Sequence, residues 1–255
     1  MGRAPVFAGA AGTIRATSAP VRRESDGVVD ISAADGDDSP WANGWTSEGV
    51  IEVLEPLVVE TRRARIMAVI NARTDNVTVA MDAPHDPHNG AAVMRTCDAF
   101  GVQTVHVVEA LEPFLFVRKV SLGTERWIDV ERHPGYEVAI ARLKCLGYTL
   151  VSAIADGEMV PSDLAKLEKL ALIMGNERDG VSSAFMQASE HTVRIPMRGF
   201  VESLNMSVST AILLHAAMSD RPGDLSEARR REVYARGLFR SVVRVRDVLA
   251  NSKPR

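Results

Sequence analysis

From residue 76 to residue 217 short apolar runs alternate with helical patterns, and this alternation is what most narrows the fold. Runs of strand length lie at 76–83, 102–108, 128–130, 148–154, 170–174 and 193–195. Helical patterns fall between them at 90–100, stopped by Gly101, at 134–147, opened by Pro134, and at 181–188. A further helix follows Ser203 and Asn205 and turns apolar at Ile212, Leu213 and Leu214. Strands joined through helices of this length predict an α/β domain, a mostly parallel sheet flanked by helices.

Three loops that each follow a strand concentrate polar groups: 84-PHDPHN-89, 175-GNERDG-180 and 199-GFVESLN-205. Loops at the carboxyl ends of parallel strands line one edge, where ligands bind, so one composite site is expected. The helix after the third loop opens with Ser207, Ser209, Thr210 and Ala211, small residues that leave main chain open to close approach. A ligand against unpaired N–H groups and a polar cap on a core helix both fit that opening. His85, Asp86 and His88 have no third ligand at a metal spacing and read as a structural loop. The glycines of 175–180 match neither the dinucleotide fingerprint nor the phosphate loop, and Ser203 lacks the G-x-S-x-G elbow of a hydrolase.

Charge is unevenly spread along the 255 residues. The net of -3 combines -6 over residues 1–60 (four Arg, ten Asp or Glu) with +3 over the rest. Residues 229–255 alone carry eight Arg and one Lys against Glu232 and Asp247, a net of +7. Such a tail fits a polyanionic partner, and a solvated helix face fits it as well. Four segments are expected: a disordered leader (1–45), a helical arm (46–73), the α/β domain (74–220) and a basic helical tail (221–255). Arg62, Arg63, Arg65 and Arg73 surround the second half of the arm. Cys97 and Cys145 sit in apolar helical patterns and read as reduced core residues of a cytoplasmic protein. No apolar run reaches the ~20 residues of a membrane span, so no membrane partner is expected.

Three long segments, in this order and spacing, resemble the three motifs of the SpoU branch of the SPOUT methyltransferases. They are 76-NVTVAMDAPHDPHNGAAVMRTCDAFGV-102, 172-LIMGNERDGVS-182 and 195-IPMRGFVESLNMSVSTAILL-214. The resemblance runs from about Thr61 to Met218 and is strongest to members that act on tRNA at guanosine 18. It implies a deep C-terminal trefoil knot, a homodimer and S-adenosyl-L-methionine (AdoMet) as methyl donor, with no metal. The implied reaction is methyl transfer to a ribose 2'-hydroxyl, on tRNA or, as the alternative, on ribosomal RNA. A silent RNA-binding module is a third reading.

Carried over onto this chain, the resemblance assigns catalysis to Arg95, Asn89, Ser203, Glu177 and Asn205. Arg95 is expected to clamp the substrate phosphate and hydroxyl, with Asn89 and Ser203 orienting either Arg95 or that phosphate, Glu177 bracing the second and third loops and Asn205 helping to hold them around the cofactor. It assigns the cofactor to backbone around Met174, Gly175, Ile195, Met197, Leu204 and Asn205. Arg62, Arg63, Arg118 and Arg126 are the candidates for RNA contact.

Overall fold

The computed structural model describes residues 28–30, 41, 44–109 and 114–252, with backbone alone at 28–30, 115, 116 and 118. Its strands are β1 (Val28–Asp30), β2 (Val77–Asp82), β3 (Thr104–Val108), β4 (Leu115–Val117), β5 (Asp129–His133), β6 (Thr149–Ala153), β7 (Leu170–Met174) and β8 (His191–Val193). Its helices are α1 (Ser47–Leu54), α2 (Glu60–Asn71), α3 (Pro87–Ala99), α4 (Arg118–Ser121), α5 (Tyr136–Cys145), α6 (Ser183–Ala188), α7 (Met206–Ala217), α8 (Glu227–Phe239) and α9 (Val245–Ala250).

Six strands form one parallel sheet in the order β5-β3-β2-β7-β6-β8. The central pair, β2 and β7, is buried along its whole length, as expected for a parallel sheet covered on both faces. One face (Val77, Val79, Met81, Leu170, Leu172) packs with α3 and α7 residues such as Val93, Met94, Leu213 and Leu214. The other (Ala80, Leu150, Ala171, Ile173) packs with Ala139 and Leu143 of α5 and Phe185 of α6. After edge strand β8 the chain turns back, and α7 packs on α3 and on the 3-10 stretch Pro161–Lys166.

Arm and tail do not stand apart. Val50, Leu54, Ile66 and Ile70 of the arm share one apolar core with Leu225, Val233, Leu238, Phe239 and Leu249 of the tail. This helical module sits at the amino edge of the sheet. Asp129, at the start of β5, pairs with both Arg229 and Arg236 of α8. Asp224 accepts from the Asp75 N–H (2.7 Å) and from the Thr74 hydroxyl, just before β2.

Several expectations need correction. Within the leader, Val28–Asp30 pairs antiparallel with β4, and Trp41 is buried against Phe239 (centroids 6.1 Å apart). The rest of 1–45, apart from residues 44 and 45, lies outside the described residues. The arm breaks into two helices at the Pro56 turn, Glu55–Leu57. The tail breaks after Phe239 and restarts past Arg244, which has a left-handed φ of 54°. The helix expected from residue 90 begins at Pro87, because Asp86 caps it by accepting from the His88 N–H (2.8 Å). The strand expected at 193–195 is β8, which ends at Val193. Cys97 is buried, but Cys145, in the last turn of α5, is exposed.

Two measurements follow from these ties. Replacing Asp129 with Ala leaves Arg236, 8% exposed, without that carboxylate, and is expected to cost about 3 kcal/mol in urea unfolding. The second concerns buried imidazoles. His106 is fully buried and stacks on His133 (centroids 5.2 Å apart), with Nδ1 of one 2.9 Å from Nε2 of the other. Burial pushes the His106 pKa down to about 4. The unfolded chain therefore takes up a proton, near pH 6.5, that the folded chain refuses. This contribution is present above pH 6.5 and is lost as pH falls toward about 4. The urea midpoint is expected to drop across that window, with a shallower drop in His106→Asn.

Candidate active site

The three polar loops meet at the carboxyl edge of the sheet, and Asn89 joins them. It stands in the first turn of α3, after β2, and is 8% exposed. Its Nδ2 donates to Glu177 Oε1 (2.5 Å), in the loop after β7. Its Oδ1 accepts from Asn205 Nδ2 (2.9 Å), at the end of the loop after β8. Asn205 also caps α7, its Oδ1 accepting from the Ser207 N–H (2.8 Å) and hydroxyl (2.6 Å). An amide can donate to a carboxylate and accept from another amide at once, which suits Asn to this junction.

The second loop owes its shape to its own sequence. Asn176 and Gly180 exchange two backbone hydrogen bonds of 3.1 Å, and Asn176 Oδ1 accepts from the Arg178 and Asp179 N–H groups (2.9 and 2.8 Å). Gly180 has φ +71°, and a Cβ on Gly175 would collide with the Gly180 carbonyl carbon. The Gly-x-x-x-x-Gly spacing therefore closes a tight turn rather than cradling phosphate. Beneath it lies Asp82, the last residue of β2, fully buried, with Oδ2 accepting from the Ser182 N–H (2.6 Å). Burial raises its pKa, outweighing hydrogen bonds from Ser182 and Tyr136. Asp82 ties the second loop to the first strand. Its only signal in the sequence is a carboxylate ending an apolar strand.

The third loop is more open. Among the described residues no hydrogen bond involves the backbone N–H or C=O groups of 195–204. Ile195, Met197 and Leu204 are half-buried there, while Met174 ends β7, one strand removed from β8, and Gly175 follows it. Free main-chain donors and acceptors beside apolar side chains suit a nucleoside-like ligand held mainly by backbone.

Asn89, Glu177 and Asn205 are thus brought together directly. Arg95 and Ser203 are exposed, and neither hydrogen-bonds nor ion-pairs with described residues. Arg95 lies six residues past Asn89 on α3, about 240° around the helix, so it leaves from a different face. Asn89 holds Glu177 and Asn205 rather than Arg95, and Glu177 is bonded to the first loop rather than the third. Of the RNA candidates, Arg62 and Arg126 are exposed and Arg63 is paired with Glu60. The side chain of Arg118 lies outside the described residues. Among the described residues the grouping that could ligate a metal is His106, Glu131 and His133, not His85 and His88. Arg142 already donates to both Glu131 oxygens at 3.0 Å. No helix among the described residues is long and apolar enough to cross a membrane.

Known proteins resemble this chain in sequence and in fold. Residues 76–215, which contain all three loops, match the SpoU rRNA Methylase family. A Thermus thermophilus protein named tRNA (guanosine(18)-2'-O)-methyltransferase is 33% identical over 163 residues, 64% of this chain and 84% of that protein. An Aquifex aeolicus protein of the same name is 28% identical over 204 residues, 76% of this chain and 96% of its own length. In three dimensions the chain resembles an A. aeolicus TrmH/SpoU tRNA modifying enzyme (TM-score 0.63, 26% identity, 72% of this chain and 98% of that one). It also resembles an AdoMet-bound rRNA methyltransferase from Sinorhizobium meliloti (TM-score 0.51, 26% identity, 59% of each chain). With more than half of its residues inside the match, the chain belongs to the SpoU rRNA Methylase family.

Proposed function

We propose that this chain transfers a methyl group from AdoMet to a ribose 2'-hydroxyl of tRNA, at guanosine 18 of the D-loop. The observation that carries the reading is the Asn89 junction, which joins the three motif loops at one sheet edge. Relatives named for this reaction match over most of their own length.

Bound AdoMet would supply a methyl on a sulfonium, leaving as a neutral thioether in an in-line displacement. Backbone of Met174, Gly175, Ile195, Met197, Leu204 and Asn205 holds it, consistent with the unsatisfied main chain of 195–204. What remains for the protein is alignment, plus easing the proton off a weakly nucleophilic hydroxyl. Arg95 is suited to this by being exposed and free of a carboxylate. Its guanidinium stays charged, so it acts as a clamp on the hydroxyl and the adjacent phosphate, and that phosphate or a water takes the proton. Ser203, also unbonded, reaches the same substrate phosphate. Asn89, Glu177 and Asn205 work as positioning residues that hold the loops around the cofactor.

Three wider features belong to this reading. The segment after β8 threads through a loop to form a trefoil knot, supported by the return of α7 onto α3 and the 3-10 stretch Pro161–Lys166. Two copies pair through exposed apolar residues of the third loop and α7, namely Phe200, Val201, Val208 and Ile212. Residues 74–220 form the catalytic domain, with the arm (46–73) and tail (221–255) as an RNA-docking module in the cytoplasm.

The test is methyl transfer from labelled AdoMet to unmodified tRNA transcripts, with the modified nucleotide mapped. The expected product is 2'-O-methylguanosine at position 18. Arg95→Ala should lower turnover at least ~100-fold while AdoMet still binds. Arg95→Lys keeps the charge but loses the two-pronged grip, and near-normal turnover would refute the clamp. Transfer to ribosomal RNA alone would overturn the substrate and keep the chemistry.

A further inference from the structure

The arginines of the helical module divide into two sets. Arg63, Arg229, Arg231, Arg236 and Arg244 each pair with a carboxylate. No carboxylate lies within ion-pair distance of Arg62, Arg65, Arg126, Arg230, Arg240 or Arg246 among the described residues, and of these Arg62, Arg126 and Arg240 are exposed and lie near one another. These three belong to different elements, yet they converge. Arg62, on α2, donates from Nε to the Ser241 hydroxyl (3.2 Å), next to Arg240 at the end of α8. The same guanidinium lies 5.8 Å from the ring centroid of Trp127, next to Arg126 at the approach to β5. Although the residue as a whole is exposed, partial desolvation of the Arg240 guanidinium, then the neighbouring charges of Arg236 and Arg126, push its pKa down to about 10 against the pull of Glu125 and Asp129. The nearest acids are already engaged: Asp129 holds Arg229 and Arg236, and Glu125 accepts from the Ser121 hydroxyl.

Three cations gathered with no carboxylate paired to any of them repel one another, and a polyanion would relieve that repulsion. We propose that Arg62, Arg126 and Arg240, with the Ser241 hydroxyl, form a docking surface for successive phosphates of the substrate RNA. The proposal rests on the RNA-methylating reading above and adds where the RNA is held. Arg62 and Arg240 lie outside the family match at 76–215, so this surface is a contribution of the terminal segments.

Its position fixes what it can affect. Trp127 precedes β5 and Asp129 opens it, so the surface lies at the amino edge of the parallel sheet. The Asn89 junction lies at the carboxyl edge, a strand length or roughly 17 Å away. These arginines therefore set affinity and not the chemical step.

The test compares wild type, Arg62→Gln/Arg126→Gln/Arg240→Gln and Arg231→Gln by fluorescence anisotropy with an unmodified tRNA transcript across salt concentrations, and by steady-state methyl transfer. Arg231 lies on the same tail but is already paired with Glu227. The triple variant is expected to bind at least ~10-fold more weakly, with a slope of log K against log salt about 2 smaller in magnitude. Its kcat at saturating tRNA should match wild type, and Arg231→Gln should bind within about 2-fold of wild type. Wild-type affinity and slope in the triple variant would overturn the surface while leaving the methylation reading intact. So would an equal loss from Arg231→Gln, or a fall in kcat in a triple variant with unchanged thermal unfolding. A wild type that binds RNA through these residues without methylating it would sink the activity and keep the surface. A wild type that binds no RNA would sink both.

Discussion

One amide holds the candidate site together. Asn89 uses its donor on Glu177 and its acceptor on Asn205, partners 88 and 116 residues further along the chain. Three connections that share nothing in sequence become one structure through it. At 8% exposure the amide is largely withdrawn from water, so each bond it loses would leave a poorly solvated polar group. An Asp at this position would set two carboxylates against each other, and a Leu would satisfy neither partner. Below it, Asp82 ties Ser182 to the end of β2, so the second loop is fixed at both its tip and its base.

The rest of the molecule supports this edge from the opposite one. Arm and tail close on a shared apolar core, and Asp129 and Asp224 fasten that module to the starts of β5 and β2. Under the proposed reading, rigidity and RNA binding belong to the amino edge and the chemistry to the carboxyl edge. That reading also changes the meaning of the basic tail. Four of its arginines, Arg229, Arg231, Arg236 and Arg244, are spent on ion pairs, and the proposed contact for a polyanion is a small, composite surface.

The sheet was legible because its strands are continuous apolar runs at regular spacing, and Leu170–Met174 is the clearest of them. The three loops were legible because their polar residues stand directly after those runs. Less could be read from helix ends, since Pro87 extends α3 by three residues through a cap that only the Asp86 side chain reveals. The joining of arm and tail was invisible: Ile66 and Leu238 meet through tertiary packing, which no local pattern encodes. The same holds for the site. Motif resemblance singles out Asn89, Arg95, Glu177, Ser203 and Asn205 as a group, but only geometry separates the bonded three from the two left open. His106, a lone polar residue inside an apolar strand, gave no sign of its stacked partner in β5.

The central claim is that Asn89 organises a cofactor site from three loops, and AdoMet affinity tests it most directly. Calorimetric titration of wild type and Asn89→Ala, with folding checked by circular dichroism, separates the outcomes. The account requires saturable binding to wild type and binding at least ~10-fold weaker in the variant, the equivalent of one lost buried hydrogen bond. Equal affinity in a folded variant would contradict it, and so would a wild type that binds no AdoMet at all.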